Sequence, residues 1–239
     1  MTRSPRASKI YRIRKSRGEP ATMPIALVRR RIENLMALNV TRQAIAHAAG
    51  IDIQTVHHIL NRNTDHVRIE IAAKIWKVDH KPHPAQKLVS SLGARRRVRA
   101  LNAIGWPTAE LAARLGLSTN FVLNDSLRRP HLMYSRWAEI RDLYEELSGT
   151  PGPSQQSVTV AKRAKHPSPL AWDGRDIDHP HTQPDWAAMG IKLTDRPVCG
   201  NNHEYTKENT YRGSDGTRQC RKCRRAAKAR QAARKKAAA

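Results

Sequence analysis

Apolar residues recur at helical spacing from Pro24 onward, at Ile25, Val28, Ile32, Leu35, Met36 and Leu38, which predicts a first helix ending near Asn39. A second pattern fills Arg42 to Asn61, RQAIAHAAGIDIQTVHHILN. If Gly50 is the ninth of twenty places, Ile45, Ala49, Ile51, Val56 and Ile59 supply apolar side chains at the fourth, eighth, tenth, fifteenth and eighteenth. Ala46 is small enough for close helix packing, and Gly50 tolerates the positive φ of a tight turn. Thr41 and Asp52 are the expected N-caps of the second and third helices. A further helix from Val67 to Val78, with Ile69, Ile71, Ile75 and Trp76, closes a four-helix module over 24–80, and 79–87 reads as a linker.

Seven agreeing positions make the Arg42–Asn61 stretch a helix-turn-helix, the motif that lays its second helix in the major groove of DNA. The third helix, Ile53 to Asn61, presents Gln54, His57, His58 and Asn61. Gln and Asn pair bidentately with adenine, so these side chains are the expected readers of base edges, with Arg42, Thr55 and Arg62 beside them.

The pattern then repeats. At a constant offset of 66, Arg29, Arg30 and Arg31 match Arg95, Arg96 and Arg97, and Leu35, Ala37, Ala46, Gly50, Val56 and Arg62 match Leu101, Ala103, Ala112, Gly116, Val122 and Arg128 without a gap. A second module over 88–148 follows, with Leu111, Ala112, Leu115, Gly116, Leu117 and Val122 in the motif places, Thr108 as N-cap and a third helix over 119–127. Asp125 stands where the motif wants an apolar residue, and an acid there repels phosphate. Two readings stay open: the copy is a structural or pairing module, or it reads DNA through Ser118, Thr119, Asn120, Asn124 and Arg128. The helix Tyr134–Leu147 after it has an apolar face and an acidic one.

Residues 149–195 have linker composition and hold a Trp/Asp-rich segment. Asp173, Asp176, Asp178 and Asp185 with His179 and His181 lack the regular spacing of a catalytic metal site, so the segment is expected to be a strap packed through Trp172 and Trp186.

Beyond it, over 196–239, Cys199, His203, Cys220 and Cys223 form C-x3-H and C-x2-C, the two close donor pairs that tetrahedral Zn2+ requires. Strands at 210–212 and 217–219 around Ser214-Asp215-Gly216, then an Ala-rich helix from Arg221, give the knuckle, hairpin and helix order of a small treble-clef zinc finger. All three cysteines of the chain lie in this motif, which argues for metal rather than disulfides.

Charge changes the picture most. The net charge is +24; residues 1–20 of the disordered basic arm expected over 1–23 contribute +6 of it and the helix over 221–237 contributes +9, which predicts basic termini that grip phosphates, Arg224, Arg225 and Lys228 among them. Double-stranded DNA is the expected partner. With 39% hydrophobic residues and a single Phe, several small helical modules fit better than one large core. No apolar run approaches a membrane span and no hydrophobic signal core opens the chain, so a cytoplasmic location is expected.

The paired modules beginning at Arg29 and Arg95, PLAWDGRDIDHP at 169–180 and CGNNHEYTKENTYRGSDGTRQCRKC at 199–223 together resemble DNA-binding proteins of phages that infect actinobacteria, described as helix-turn-helix and sometimes as HNH-endonuclease-like. The resemblance implies sequence-directed DNA binding in a bacterial or phage-infected cell. An HNH nuclease needs a histidine base, and the motif's one histidine, His203, is claimed by the metal, which favours a non-catalytic finger. The expectation is therefore a mainly α protein with two tandem helix-turn-helix modules and a zinc finger, a transcriptional regulator able to bind as a monomer. The alternatives are an HNH-like endonuclease and a non-specific packaging or recombination accessory protein.

Overall fold

The computed structural model describes residues 9, 12, 13, 16–18, 20–61 and 64–237. Most of the arm expected over 1–23 lies outside the described residues, as does Arg62. About half of the chain is helical, joined by two-stranded antiparallel sheets, in two compact units.

The first unit is Met1–Ser90 with His131–Trp137. Strand β1 (Thr22–Pro24) pairs with β2 (His66–Arg68), Met23 opposite Val67, and the helices are α1 (Ile25–Ala37), α2 (Arg42–Ala49), α3 (Ile53–Asn61) and α4 (Ile69–Trp76). Two boundaries differ from the sequence reading: Thr22 and Met23 leave the arm for a strand, and the helix expected from Val67 begins at Ile69. The cause is a reciprocal pair of hydrogen bonds, Ile25 N to Asp65 O at 2.9 Å and Ile69 N to Ala21 O at 3.1 Å, which occupies an N–H at the start of each helix. Thr41 Oγ1 caps α2 by accepting from Ala44 N at 3.2 Å, and the Asp52 carboxylate accepts from Gln54 N at 2.6 Å at the start of α3. Between them Gly50 is left-handed (φ 57°), and Ile51 N donates to Ala46 O at 3.0 Å. Val28, Ile32, Ile45, Val56 and Ile75 are fully buried over Ala44, Ala46 and Ala49. Each such aliphatic stabilises the fold by about 1.5–3 kcal/mol. The 79–87 connection is docked, with Gln86 buried and its Nε2 donating to Asn39 O at 2.8 Å. Strands β3 (Leu88–Ser90) and β4 (His131–Met133) pair in the same unit.

The second unit, Ser91–Pro130 with Ala138–Ala239, contains α5 (Leu92–Ala103), α6 (Thr108–Arg114), α7 (Asn120–Arg128), most of α8 (Tyr134–Leu147) and α9 (Gln155–Arg163). The duplication is structural as well as sequential. Residues 88–90 of β3 lie 66 after 22–24 of β1, Gly116 is left-handed (φ 65°) like Gly50, and Leu117 N donates to Ala112 O at 2.9 Å as Ile51 N does to Ala46 O. The register then slips. Two residues, Ile51 and Asp52, separate Gly50 from α3, whereas three, Leu117, Ser118 and Thr119, separate Gly116 from α7, so the offset becomes 67. The extra residue turns α7 by about 100° relative to the ungapped alignment. Leu123, fully buried, replaces Val122 in the core, and Val122 is 38% exposed. Asp125 lies outside the core and pairs with Arg129 at 2.7 Å. The expected N-cap Thr108 is likewise displaced: Pro107 holds that place, and the Thr108 hydroxyl accepts from Asn102 Nδ2 at 3.3 Å instead.

Residues 149–195 are not a loose linker. Gly152 N donates to Ile104 O at 2.8 Å and Ser154 N to Gly105 O at 3.0 Å, a backbone approach so close that a Cβ on Gly152 would lie 2.2 Å from Gly105 C. Ser154 caps α9, which buries Ala161 and packs on α5. A short 3-10 turn, Pro169–Trp172, opens the strap, which buries Trp172, Ile177 and Trp186. Two arginines of α5 fasten it. The Arg96 guanidinium donates to the carbonyls of Ile177, His179, Pro180 and Thr182 at 2.8–3.3 Å, and Arg97 makes a two-pronged ion pair with Asp178 at 2.7 and 2.7 Å. Burial lowers Arg96 to about 10, against Asp178 and Asp176, which raise it, while Arg95 lowers it further.

Candidate functional site

The most specific chemistry gathers at the C-terminal part of the second unit. Strands β5 (Thr210–Arg212) and β6 (Arg218–Cys220) form a hairpin running into α10 (Arg221–Ala237). The second strand begins one residue later than the sequence suggests. Asp215 Oδ1 accepts from Thr217 N and Oγ1 at 3.0 and 2.7 Å, which holds Thr217 in the turn behind left-handed Gly216 (φ 75°). Ahead of the hairpin, Cys199 N donates to His203 O at 3.0 Å and Asn202 N to Cys199 O at 2.9 Å, around a left-handed Asn202 (φ 60°). This knuckle turns Cys199 and His203 towards Cys220 at the end of β6 and Cys223 in the first turn of α10.

The four donor atoms lie within 4.8 Å of one another. Cys199 Sγ is 3.6 Å from Cys223 Sγ, and His203 Nδ1 is 3.6, 3.3 and 3.5 Å from the sulfurs of Cys199, Cys223 and Cys220. Metal bonds of about 2.3 Å to sulfur and about 2.0–2.1 Å to nitrogen make tetrahedral edges of about 3.8 Å and about 3.5 Å. The cluster thus has the dimensions to hold one metal ion.

Asparagines support the cysteines, a feature that sequence spacing did not single out. Buried Asn209 donates from Nδ2 to Cys220 Sγ (3.4 Å) and Glu204 O (2.6 Å), and its Oδ1 accepts from Lys222 N at 3.0 Å. Asn201 Nδ2 donates to Cys223 Sγ at 3.3 Å. Such donors orient ligands and stabilise thiolate charge. Burial works to raise the Cys220 thiol, but the Cys223 backbone N–H and the Asn209, Cys223 and Cys199 side chains outweigh it and bring it down to about 6. The strap is tied to the knuckle, with Gln183 Nε2 donating to Cys199 O at 2.7 Å and Asn202 Nδ2 to Thr182 O at 2.9 Å.

Beside the cluster runs a groove of about 1150 Å3, lined among others by Arg95, Arg99, His166, His203, Arg221, Lys222 and Arg225. Burial, then the Arg99 charge, lowers His166 to about 4, so its imidazole is neutral at pH 7. Three of the strap's aspartates are already engaged as acceptors. Asp178 holds Arg97, Asp176 accepts from the N–H groups of Asp178 and His179, and Asp185 from those of Ala187 and Ala188. Among the described residues, the cysteine–histidine set is the group whose donor atoms converge as metal ligands would.

The candidate DNA-contacting residues fall on three surfaces. On the first helix pair Arg42, Gln54, His58 and Asn61 are exposed and Thr55 and His57 half-buried, Gln54, His58 and Asn61 lying across α3 from Val56 and Ile59 in the core. On the second, Ser118, Asn120, Asn124 and Arg128 are exposed, and the Thr119 hydroxyl is taken as the N-cap of α7, accepting from Val122 N at 3.4 Å. On α10, Arg224, Arg225 and Lys228 are exposed, Arg224 over the Tyr211 ring at 4.4 Å.

In comparisons with known proteins, no family model, curated protein or solved structure matches the chain. Among the described residues no helix is long and apolar enough to cross a membrane.

Proposed function

We propose that the protein is a sequence-reading DNA-binding protein, a transcriptional regulator of phage or bacterial type, built from two helix-turn-helix modules and a zinc finger. The observation that carries this reading is the helix pair α2–α3: its turn glycine is left-handed and its apolar motif places are buried or half-buried, while Gln54, His58 and Asn61 stay exposed on the outer face of the second helix. That is the arrangement a recognition helix needs, with the core fixing its rotation and side-chain amides free for adenine edges. A net charge of +24 supplies the phosphate attraction. Zinc is the metal that suits three thiolates and one imidazole at tetrahedral spacing, and with it the knuckle, hairpin and helix become a treble-clef finger whose basic helix grips the backbone. Zinc would be held by Cys199, His203, Cys220 and Cys223 and would supply folding energy.

Selection from a pool of random duplexes at roughly physiological salt, with zinc-loaded protein and magnesium present, tests the reading. It requires enrichment of a defined motif and intact DNA. Binding that is indifferent to sequence and lost steeply with salt would point to a packaging protein instead, and cut DNA to a nuclease.

A further inference from the structure

The register slip in the second copy changes which side chains its outward helix presents. Counting from the N-caps, Asp52 for α3 and Thr119 for α7, both helices are nine residues long, and the second position is Gln54 in one and Phe121 in the other. The third is Thr55 in one and Val122 in the other, and the fourth, Val56 or Leu123, is fully buried in both. The two helices are thus set alike over their first turn, the later core contact falling at Ile59, the seventh position, in α3 and at Leu127, the eighth, in α7, and Phe121 occupies the place from which Gln54 would read a base. It is the one Phe of the chain and 68% exposed, with Val122 exposed beside it and the polar Asn120 and Asn124 around it. The acid that spoils the ungapped reading is neutralised, since Asp125 is paired with Arg129, and Arg128 at the helix end is exposed.

Resting on the DNA-reading function above, we propose that α7 reads thymine 5-methyl groups in the major groove through Phe121 and Val122, where α3 reads adenine edges through polar side chains. An apolar side chain at a reading position finds one apolar feature on the major-groove edges of the bases, the thymine methyl. The surrounding charge selects the same occupant. In a chain of net +24, an apolar tip flanked by Asn120, Asn124 and Arg128 suits a polyanion with apolar spots on its groove floor. The two copies thus differ in specificity and together read an asymmetric site.

The test takes the duplex recovered by selection and replaces each dT in turn by dU, which removes the methyl and leaves the pairing intact. With full-length zinc-loaded protein, one or two positions lose about fourfold in affinity, the worth of one buried methyl. Phe121→Ala binds the dT duplex about tenfold more weakly and is indifferent to dU at those positions, while its melting temperature and zinc content match the parent. A recovered site without thymine, a parent indifferent to every dU, or a Phe121→Ala variant that keeps both affinity and dU sensitivity overturns the proposal. Unchanged DNA binding with lost self-association would assign the tip to a second copy of the chain, and also overturns it. Gln54→Ala separates the two levels. If it weakens binding while dU and Phe121→Ala do nothing, only the thymine contact fails; if no motif is enriched at all, the DNA-reading function fails with it.

Discussion

Removing Asp178 leaves the Arg97 guanidinium buried with its two-pronged partner gone. The pair is 2.7 Å at each prong, with side chains 6% and 9% exposed, so solvent screens it little. Breaking such a pair from one side costs about 3–5 kcal/mol, because the remaining charge keeps its desolvation penalty. For a protein of this size that is a fall in melting temperature of about 6–20 °C. Asp178→Ala should show it in scanning calorimetry and, with no change in slope, as a lower midpoint in urea. Arg97→Met with Asp178→Leu should recover much of the loss, since neither charge is then stranded. Gly93→Ala should imitate Asp178→Ala, because the added Cβ would lie 1.7 Å from Asp178 Oδ1 and 2.9 Å from Arg97 Nη1. A melting temperature for Asp178→Ala within 1 °C of the parent, or single losses that simply add in the double variant, would refute the account of how the strap is held.

Further outcomes follow from other parts of the molecule. Metal analysis should find one zinc per chain, lost in Cys220→Ser, and weakened binding in Asn209→Ala would separate the supporting shell from the ligands. His166 has its folded-state pKa lowered from 6.5 to about 4, so the unfolded chain binds more protons between those values and stability falls as pH drops from 6.5 towards 4. His166→Phe should flatten that dependence, as urea midpoints at pH 7 and pH 5 would register. Thr41→Ala removes the cap of α2 and should cost about 1 kcal/mol. Equal unfolding midpoints for Thr41→Ala and the parent would deny the cap its role.

The legible parts of the fold were those with long periodicity. The helices Ile53–Asn61 and Tyr134–Leu147 fall at the bounds their apolar stripes predict, and Arg221–Ala237 at the bounds its Ala-rich, basic composition predicts. Cys199, His203, Cys220 and Cys223 converge because close donor pairs on a hairpin have few other arrangements open to them. Three-residue strands carry no readable alternation: β5 and β6 were marked by the Ser214-Asp215-Gly216 turn between them, whereas β1 and β3 pair with β2 and β4, more than 40 positions on, and had no such marker. The slip at Ser118–Thr119 was hidden because Val122 and Leu123 are both apolar, and either alignment puts an aliphatic residue in the core. A signal was present: the ungapped register left Asp125 at a core place, and one inserted residue removes that conflict. Residues 149–195 read as a linker from their Pro, Gly and Ser content, yet their order comes from Arg96 and Arg97 on α5, partners more than 80 positions away that no local pattern reveals.

Whether α3 reads bases through its exposed amides is decided by substituting 7-deaza-adenine for each adenine of the selected duplex, which removes the N7 acceptor alone. The parent should lose binding at one or two adenines, by up to the 5- to 150-fold that corresponds to about 1–3 kcal/mol for a bidentate contact, and Gln54→Ala or Asn61→Ala should be insensitive at those same positions. Equal sensitivity in parent and variants, or none in either, would contradict base reading through α3.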